Sequence, residues 1–185
     1  MAYFVMVGEG VHPIMPIARG PDFPGNWRMG TPITEAVPQP LTYTLDIEYE
    51  GLPKPMYYEE SIPVMRDDVL AALTAAGVDN IQSFDAVLVN PETGQRYANY
   101  KAYNIVGLVA CADMGASERM ATTDSVIGDV DFRSLVIDER KTGGALLFRL
   151  AENVSAIVVH AQVRRAIEAS GIPGFVFYGP GTWSG

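Results

Sequence analysis

One cysteine, two histidines and 13 basic residues among 185 leave this chain short of the usual chemical apparatus. Cys111 alone excludes an intramolecular disulfide and any multi-cysteine zinc site, and it fits a reducing compartment. His12 lies on a Pro-rich stretch and His160 starts a helical pattern. Neither has an orienting acid beside it in sequence, and no Gly-x-Ser-x-Gly elbow exposes a serine, so nucleophilic catalysis has no visible machinery. Phosphate loops are missing as well. Gly8-Glu-Gly10-Val-His-Pro13 follows a strand as a dinucleotide loop would, but it lacks the third glycine, and Pro13 and Pro16 prevent a helix from opening there. The first residues lack the basic flank and apolar core of a secretory signal. No apolar run approaches the roughly 20 residues that span a bilayer, so the expected location is the cytoplasm.

What the chain has in excess is negative charge. The net charge is −9, and it is uneven: residues 1–100 hold 13 acids against 5 bases, residues 101–185 hold 9 against 8. In the first part Glu35, Asp46, Glu48, Glu50, Glu59, Glu60, Asp67 and Asp68 are opposed only by Lys54 and Arg66. Such a field repels phosphates, which argues against nucleic acid or an anionic membrane as partner, and it attracts cationic surfaces. Solubility alone is the simpler use of the same charge.

The pattern of elements predicts an α+β fold, mainly antiparallel strands with two short helices, each inside a strand-helix-strand unit. In residues 156–178, Ile157 to Val159 make a β-branched run, Val163, Ala166 and Ile167 recur at helical spacing, Gly171 sits where a helix ends, and Phe175 to Phe177 resume a strand. Residues 62–84 repeat this grammar, with Val69, Ala72 and Leu73 before Gly77 at the same offsets. Asp67 is a candidate N-cap for the first helix. His160 reads as a residue near the N-cap of the second. Residues 2–7 form a strand, and residues 8–40, with seven prolines and five glycines, form an arm to which Trp27 is the expected anchor.

Leu41 to Glu50 alternates strictly and predicts a strand with Leu41, Tyr43, Leu45, Ile47 and Tyr49 packed and Asp46, Glu48 and Glu50 on its wet face. Those acids serve either as edge protection or as a template for a basic partner. Ile81 to Val89 is a further strand, turned by Asn90-Pro-Glu-Thr-Gly94 into a hairpin whose return includes Tyr103, Ile105, Leu108 and Val109. Residues 114–130 read as a surface connection, and Leu135 to Asp138 and Leu146 to Leu150 as short strands around the turn at residues 141–144. The expected division is an arm over 1–40, an α+β domain over 41–178, as one body or as lobes of about 41–100 and 101–178, and a tail over 179–185.

Cys111 sits in an apolar run and reads as an inert core thiol. Asp129-Val-Asp131 has the spacing of carboxylates that hold divalent ions, but no second ligand group follows. Asn153-Val-Ser155 is a glycosylation sequon, with meaning only in a secreted chain. No catalytic residue, metal ligand or cofactor is assigned.

Several stretches, taken in order, resemble one family. Ile62-Pro-Val-Met65, a helix ending in Ala75-Ala-Gly77-Val-Asp-Asn-Ile-Gln82, then Tyr103-Asn-Ile105, Leu146-Leu-Phe-Arg-Leu150, Ile157-Val-Val159 and Gly171-Ile-Pro-Gly-Phe-Val-Phe177 are similar to immunity family eleven of bacterial polymorphic toxin systems, over residues 60–178. The resemblance implies a non-enzymatic protein that binds and neutralises a cognate toxin acting in the cytosol. Asp46, Glu48, Glu50, Glu59, Glu60, Asp67 and Asp68 are then the candidate contacts for a toxin with a basic surface. Two other readings compete with it: a small enzyme using carboxylates such as Asp129, Asp131 and Asp138, and an accessory adaptor of a secretion system. Oligomeric state is left open.

Overall fold

The computed structural model describes residues 2–9, 14–120 and 130–185. In chain order the strands and helices are β1 (Tyr3–Gly8), β2 (Ile14–Met15), β3 (Ile17–Arg19), β4 (Leu41–Leu45), β5 (Leu52–Pro53), β6 (Met56–Tyr57), β7 (Val64–Arg66), α1 (Asp67–Ala75), β8 (Ile81–Val89), β9 (Arg96–Ile105), β10 (Leu108–Val109), β11 (Glu118–Arg119), β12 (Phe132–Ser134), β13 (Leu147–Leu150), β14 (Ile157–His160), α2 (Ala161–Ser170) and β15 (Phe175–Tyr178). The fold is α+β, as the pattern predicts. A six-stranded sheet runs β3-β4-β8-β9-β7-β6 and a five-stranded sheet runs β10-β13-β14-β1-β15. Most pairs are antiparallel; β4–β8 and β10–β13 are parallel.

The two strand-helix-strand units meet at their helices. Val69 and Leu73 of α1 and Val163 and Ile167 of α2 are fully buried in one cluster with Met65, Tyr103 and Ile105 from the larger sheet and Met6, Leu147, Ile157 and Val159 from the smaller. Each such aliphatic side chain contributes about 1.5–3 kcal/mol relative to exposure. Alternate residues of the same strands feed other clusters. Val64, Tyr100 and Ala102 pack beneath the arm with Trp27 and Ile33, while Val158, Phe148 and Leu150 pack with Phe132, Leu135 and Trp183. Both faces of the sheets' central strands are thus covered, which is why Ile157 to Val159 is apolar throughout instead of alternating.

Helix ends follow local chemistry. His160 caps α2, its Nδ1 accepting from the Gln162 N–H at 3.2 Å, and Gly171 closes the helix at φ +70°. In α1 the N-cap is Arg66, without a side-chain cap bond, and Asp67 is the first helical residue. The expected Asp67 cap is therefore corrected. Asp67 and Asp68 instead put negative charge on the first turn, where the helix dipole favours it.

Three strand boundaries differ from the pattern. The predicted strand over Leu41 to Glu50 stops at Leu45 because its neighbours stop: β3 reaches it at Ile17 opposite Leu45, and β8 at Val89 opposite Thr44. Beyond that point the Asp46 carboxylate accepts from the Glu48 N–H at 3.0 Å and the chain turns. Leu108 and Val109 do not prolong the hairpin. They leave for the other sheet, where Asn80 fixes the crossover by donating its amide to the carbonyls of Val106 at 2.8 Å and Leu147 at 2.9 Å. At residues 135–138 only Ile137 makes an isolated bridge, to Ala112, and the strand lies earlier, in β12. The tail explains this, since Leu135 donates to the Trp183 carbonyl and accepts from the Gly181 N–H.

The arm is partly ordered by pairing. β3 edges the larger sheet and β2 pairs in parallel with β5. Trp27 is buried, edge-on to Phe84 with centroids 5.2 Å apart and to Phe23 at 6.2 Å. Trp183, in the tail, is buried against the smaller sheet's outer cluster.

Candidate functional site

The seven candidate acids all lie on the lobe of the six-stranded sheet, in three local settings. Asp46, Glu48 and Glu50 occupy the turn after β4, Glu59 and Glu60 follow β6, and Asp67 and Asp68 open α1. The sequence pattern spaced the first three along a strand; in the structure they lie on a turn instead.

Their electrostatic states differ. Arg66 donates from Nε and Nη2 to the two oxygens of Asp68 at 2.7 and 2.6 Å, and these bonds hold the Asp68 carboxyl below the ordinary range. Lys101 lies 2.6 Å from Asp85, its cross-strand partner, and 3.8 Å from Asp67. Lys54 pairs with Glu59 at 2.6 Å. Glu60 has no cation at ion-pair distance among the described residues; partial burial, and next the Glu59 charge, raise its carboxyl. Glu48 and Glu50 are exposed, likewise with no ion pair among the described residues. The acids after β4, together with Glu60, are thus the candidates with no cation at ion-pair distance among the described residues.

The same turn exposes apolar side chains. Ile47 is 51% exposed, Tyr49 52% and Leu52, on the adjoining β5, 67%. The alternation that placed Ile47 and Tyr49 in the core is overridden because no strand continues there to carry them inward. A Tyr and two aliphatic residues interleaved with three carboxylates make a surface with anchors and a charged rim. Gly51 and Pro53 just beyond were the sequence signal for the break.

Elsewhere the chemistry-bearing side chains have structural roles. Burial, then the charges of Glu152 and Asp138, push the Cys111 thiol up to about 12, so it carries no thiolate at neutral pH. Asp138 accepts from the Nε and Nη2 of Arg140 at 2.9 and 3.0 Å, and its carboxyl is held low, the opposite of a general acid. Its proposed companion Asp129 lies outside the described residues, as does His12, while Asp131 precedes β12. Asn153 of the sequon is buried, with its amide on the Val130 carbonyl at 3.1 Å. Among the described residues no group of three or more His, Cys, Asp or Glu side chains is placed to hold a metal ion. A groove of about 410 Å³ lies between the arm and β4 and is lined by Gly20, Phe23, Pro38, Pro40 and Leu41 with Asp22 and Arg19 beside them.

The model of an immunity protein family, Imm11, matches residues 35–181. No curated protein matches the chain.

Proposed function

The chain belongs to the Imm11 immunity protein family, and from that membership we propose that it binds a cognate protein toxin and neutralises it by occlusion, without turnover of its own. The family match over 35–181 carries this reading. It is supported by the turn after β4, where Asp46, Glu48 and Glu50 alternate along the chain with exposed Ile47 and Tyr49. Carboxylates there steer a basic toxin surface, and Tyr49 supplies the buried contact that holds it. Glu59, Glu60, Asp67 and Asp68 extend the negative field, with Glu59, Asp67 and Asp68 already sharing their charge with Lys54, Lys101 and Arg66. The toxin acts in the cytoplasm, where its inhibitor also resides, and neither nucleic acid nor membrane is the partner.

Co-expression with the toxin encoded beside this gene tests the reading. Cells should survive only when both proteins are made, and the two should co-purify. Survival without a complex, or rescue abolished by one carboxylate-to-amide change that leaves the complex intact, would refute occlusion. Within a complex, reversing Asp46, Glu48 and Glu50 to Lys should slow association about tenfold or more at low salt, with the gap closing as salt rises. Tyr49→Ala should instead speed dissociation.

A further inference from the structure

The interior of the shared core holds a cation without a counter-charge. Arg149, in the middle of β13, is fully buried, and an arginine cannot shed its proton to escape the cost. Its Nη1 donates to the Val154 carbonyl at 2.8 Å, but its Nε and Nη2 meet no acceptor. Tyr103, on β9, is fully buried with its hydroxyl likewise unpartnered. Arg28 of the arm reaches the same turn from outside. Its Nη2 donates to Ser155 Oγ at 2.9 Å and its Nη1 to the Glu59 carbonyl at 3.3 Å, while its buried Nε has no partner. Neither guanidinium forms an ion pair among the described residues. Burial presses the Arg149 guanidinium downward, and Arg28 adds to that pressure.

Which edge of Arg149 is unpartnered bears on the class of ligand. Twice elsewhere in this protein the Nε–Nη2 edge of an arginine takes both oxygens of a carboxylate, in Arg66 with Asp68 and in Arg140 with Asp138. On Arg149 the same edge is the one left without a protein acceptor. Two coplanar donors at that spacing fit a planar, two-oxygen anion, and the Tyr103 hydroxyl and the Arg28 guanidinium are close enough to act on Arg149 electrostatically. We propose that Arg149, Tyr103 and Arg28 form an interior site for a small carboxylate-class anion such as formate or bicarbonate, held bidentately on the Arg149 Nε–Nη2 edge. The site sits between β13, β9 and the arm, so its occupant ties the arm to both sheets. This assignment is independent of the toxin-binding reading, since it concerns a ligand that belongs to the fold.

Formate is the probe. Native protein is dialysed against chloride, and thermal midpoints are measured as formate replaces chloride at constant ionic strength, beside assay of carboxylates released on unfolding. The expected result is either a saturable rise in midpoint with formate or release of about one carboxylate per chain. Arg28→Gln should raise the half-saturating concentration at least tenfold if the rise is seen, or allow dialysis to strip the ion if release is seen. Arg149→Met should abolish both. If that variant does not fold, the native protein and Arg28→Gln decide the matter. Identical midpoints in formate and chloride with no carboxylate released would show that the edge is merely hydrated and overturn the proposal, as would an unchanged response in folded Arg149→Met.

Discussion

Gln162 of α2 donates its side-chain amide to the carbonyl of Ala76, the residue that ends α1, at 2.7 Å. The second unit thereby satisfies one of the carbonyls that a helix C-terminus leaves open. Gln162→Ala should cost about 0.5–1.5 kcal/mol by urea unfolding, against a negligible change for Arg165→Ala on the exposed face of the same helix. Equal costs would mean that the contact between the helices is apolar only.

Because the helices share one cluster, the two sheets should unfold together. The protein has two tryptophans, Trp27 over the larger sheet and Trp183 over the smaller. Single-tryptophan variants made by Trp183→Phe and Trp27→Phe therefore report separately. Leu73→Ala, which opens a cavity in the shared cluster, should lower stability by about 2–5 kcal/mol and shift both reporters by the same amount. A shift confined to Trp27 would show two independently folding lobes.

Two carboxyls give opposite pH dependences. The Glu60 carboxyl is raised above its ordinary 4.5, first by burial and then by Glu59, so the fold favours its protonated form. Its contribution is intact below about pH 4.5 and declines as pH rises through the folded value. Asp68 is lowered from 3.8 by Arg66, so its contribution is present above that value and is lost as pH falls through the folded one. Asp68 is exposed and Glu60 only partly buried, so solvent screening keeps each effect below about 1 kcal/mol. Glu60→Gln should therefore stabilise the protein slightly at about pH 7 and not at about pH 4. Asp68→Asn should destabilise it slightly at about pH 7, with the difference vanishing in strong acid. Denaturant midpoints across this range check both signs.

The arm touches the crossover between the sheets at one tight point. Gly30 has φ +71°, its carbonyl accepts from the Gly107 N–H at 2.9 Å, and a Cβ on it would lie 2.8 Å from Leu108 Cβ and 2.9 Å from the Gly107 carbonyl carbon. Since backbone is part of that contact, it cannot yield as a flexible side chain would. Gly30→Ala should cost at least about 1–3 kcal/mol and hasten tryptic cleavage at Arg19, which is exposed. Unchanged cleavage would mean that the Gly30 contact does not hold the arm in place.

The two helical units were legible because their signal is local. Val69 with Leu73 and Val163 with Ile167 mark buried helix faces by spacing, and Gly171 marks a stop through its own backbone freedom. The hairpin of β8 and β9 was legible for the same reason. Asn90 builds its turn from its own side chain, which accepts from the N–H groups of Glu92 and Thr93. Asp67 misled because an acid before an apolar run fits a cap and a first-turn residue equally well.

What the chain's order of residues determined, then, is where the two helices and the β8–β9 hairpin lie, which sides of the helices are apolar, and that negative charge gathers in the first hundred residues. Those depend on interactions among near neighbours. Where β4 ends, and hence that Ile47 and Tyr49 stand in water beside Asp46, Glu48 and Glu50, was decided by how far β3 and β8 run alongside it. That Arg149 lies in the interior near Tyr103 and Arg28 was decided by the packing of two sheets and an arm far apart in sequence. Alternation records which side of a strand a residue takes; only the assembled neighbours settle whether that side meets solvent or core.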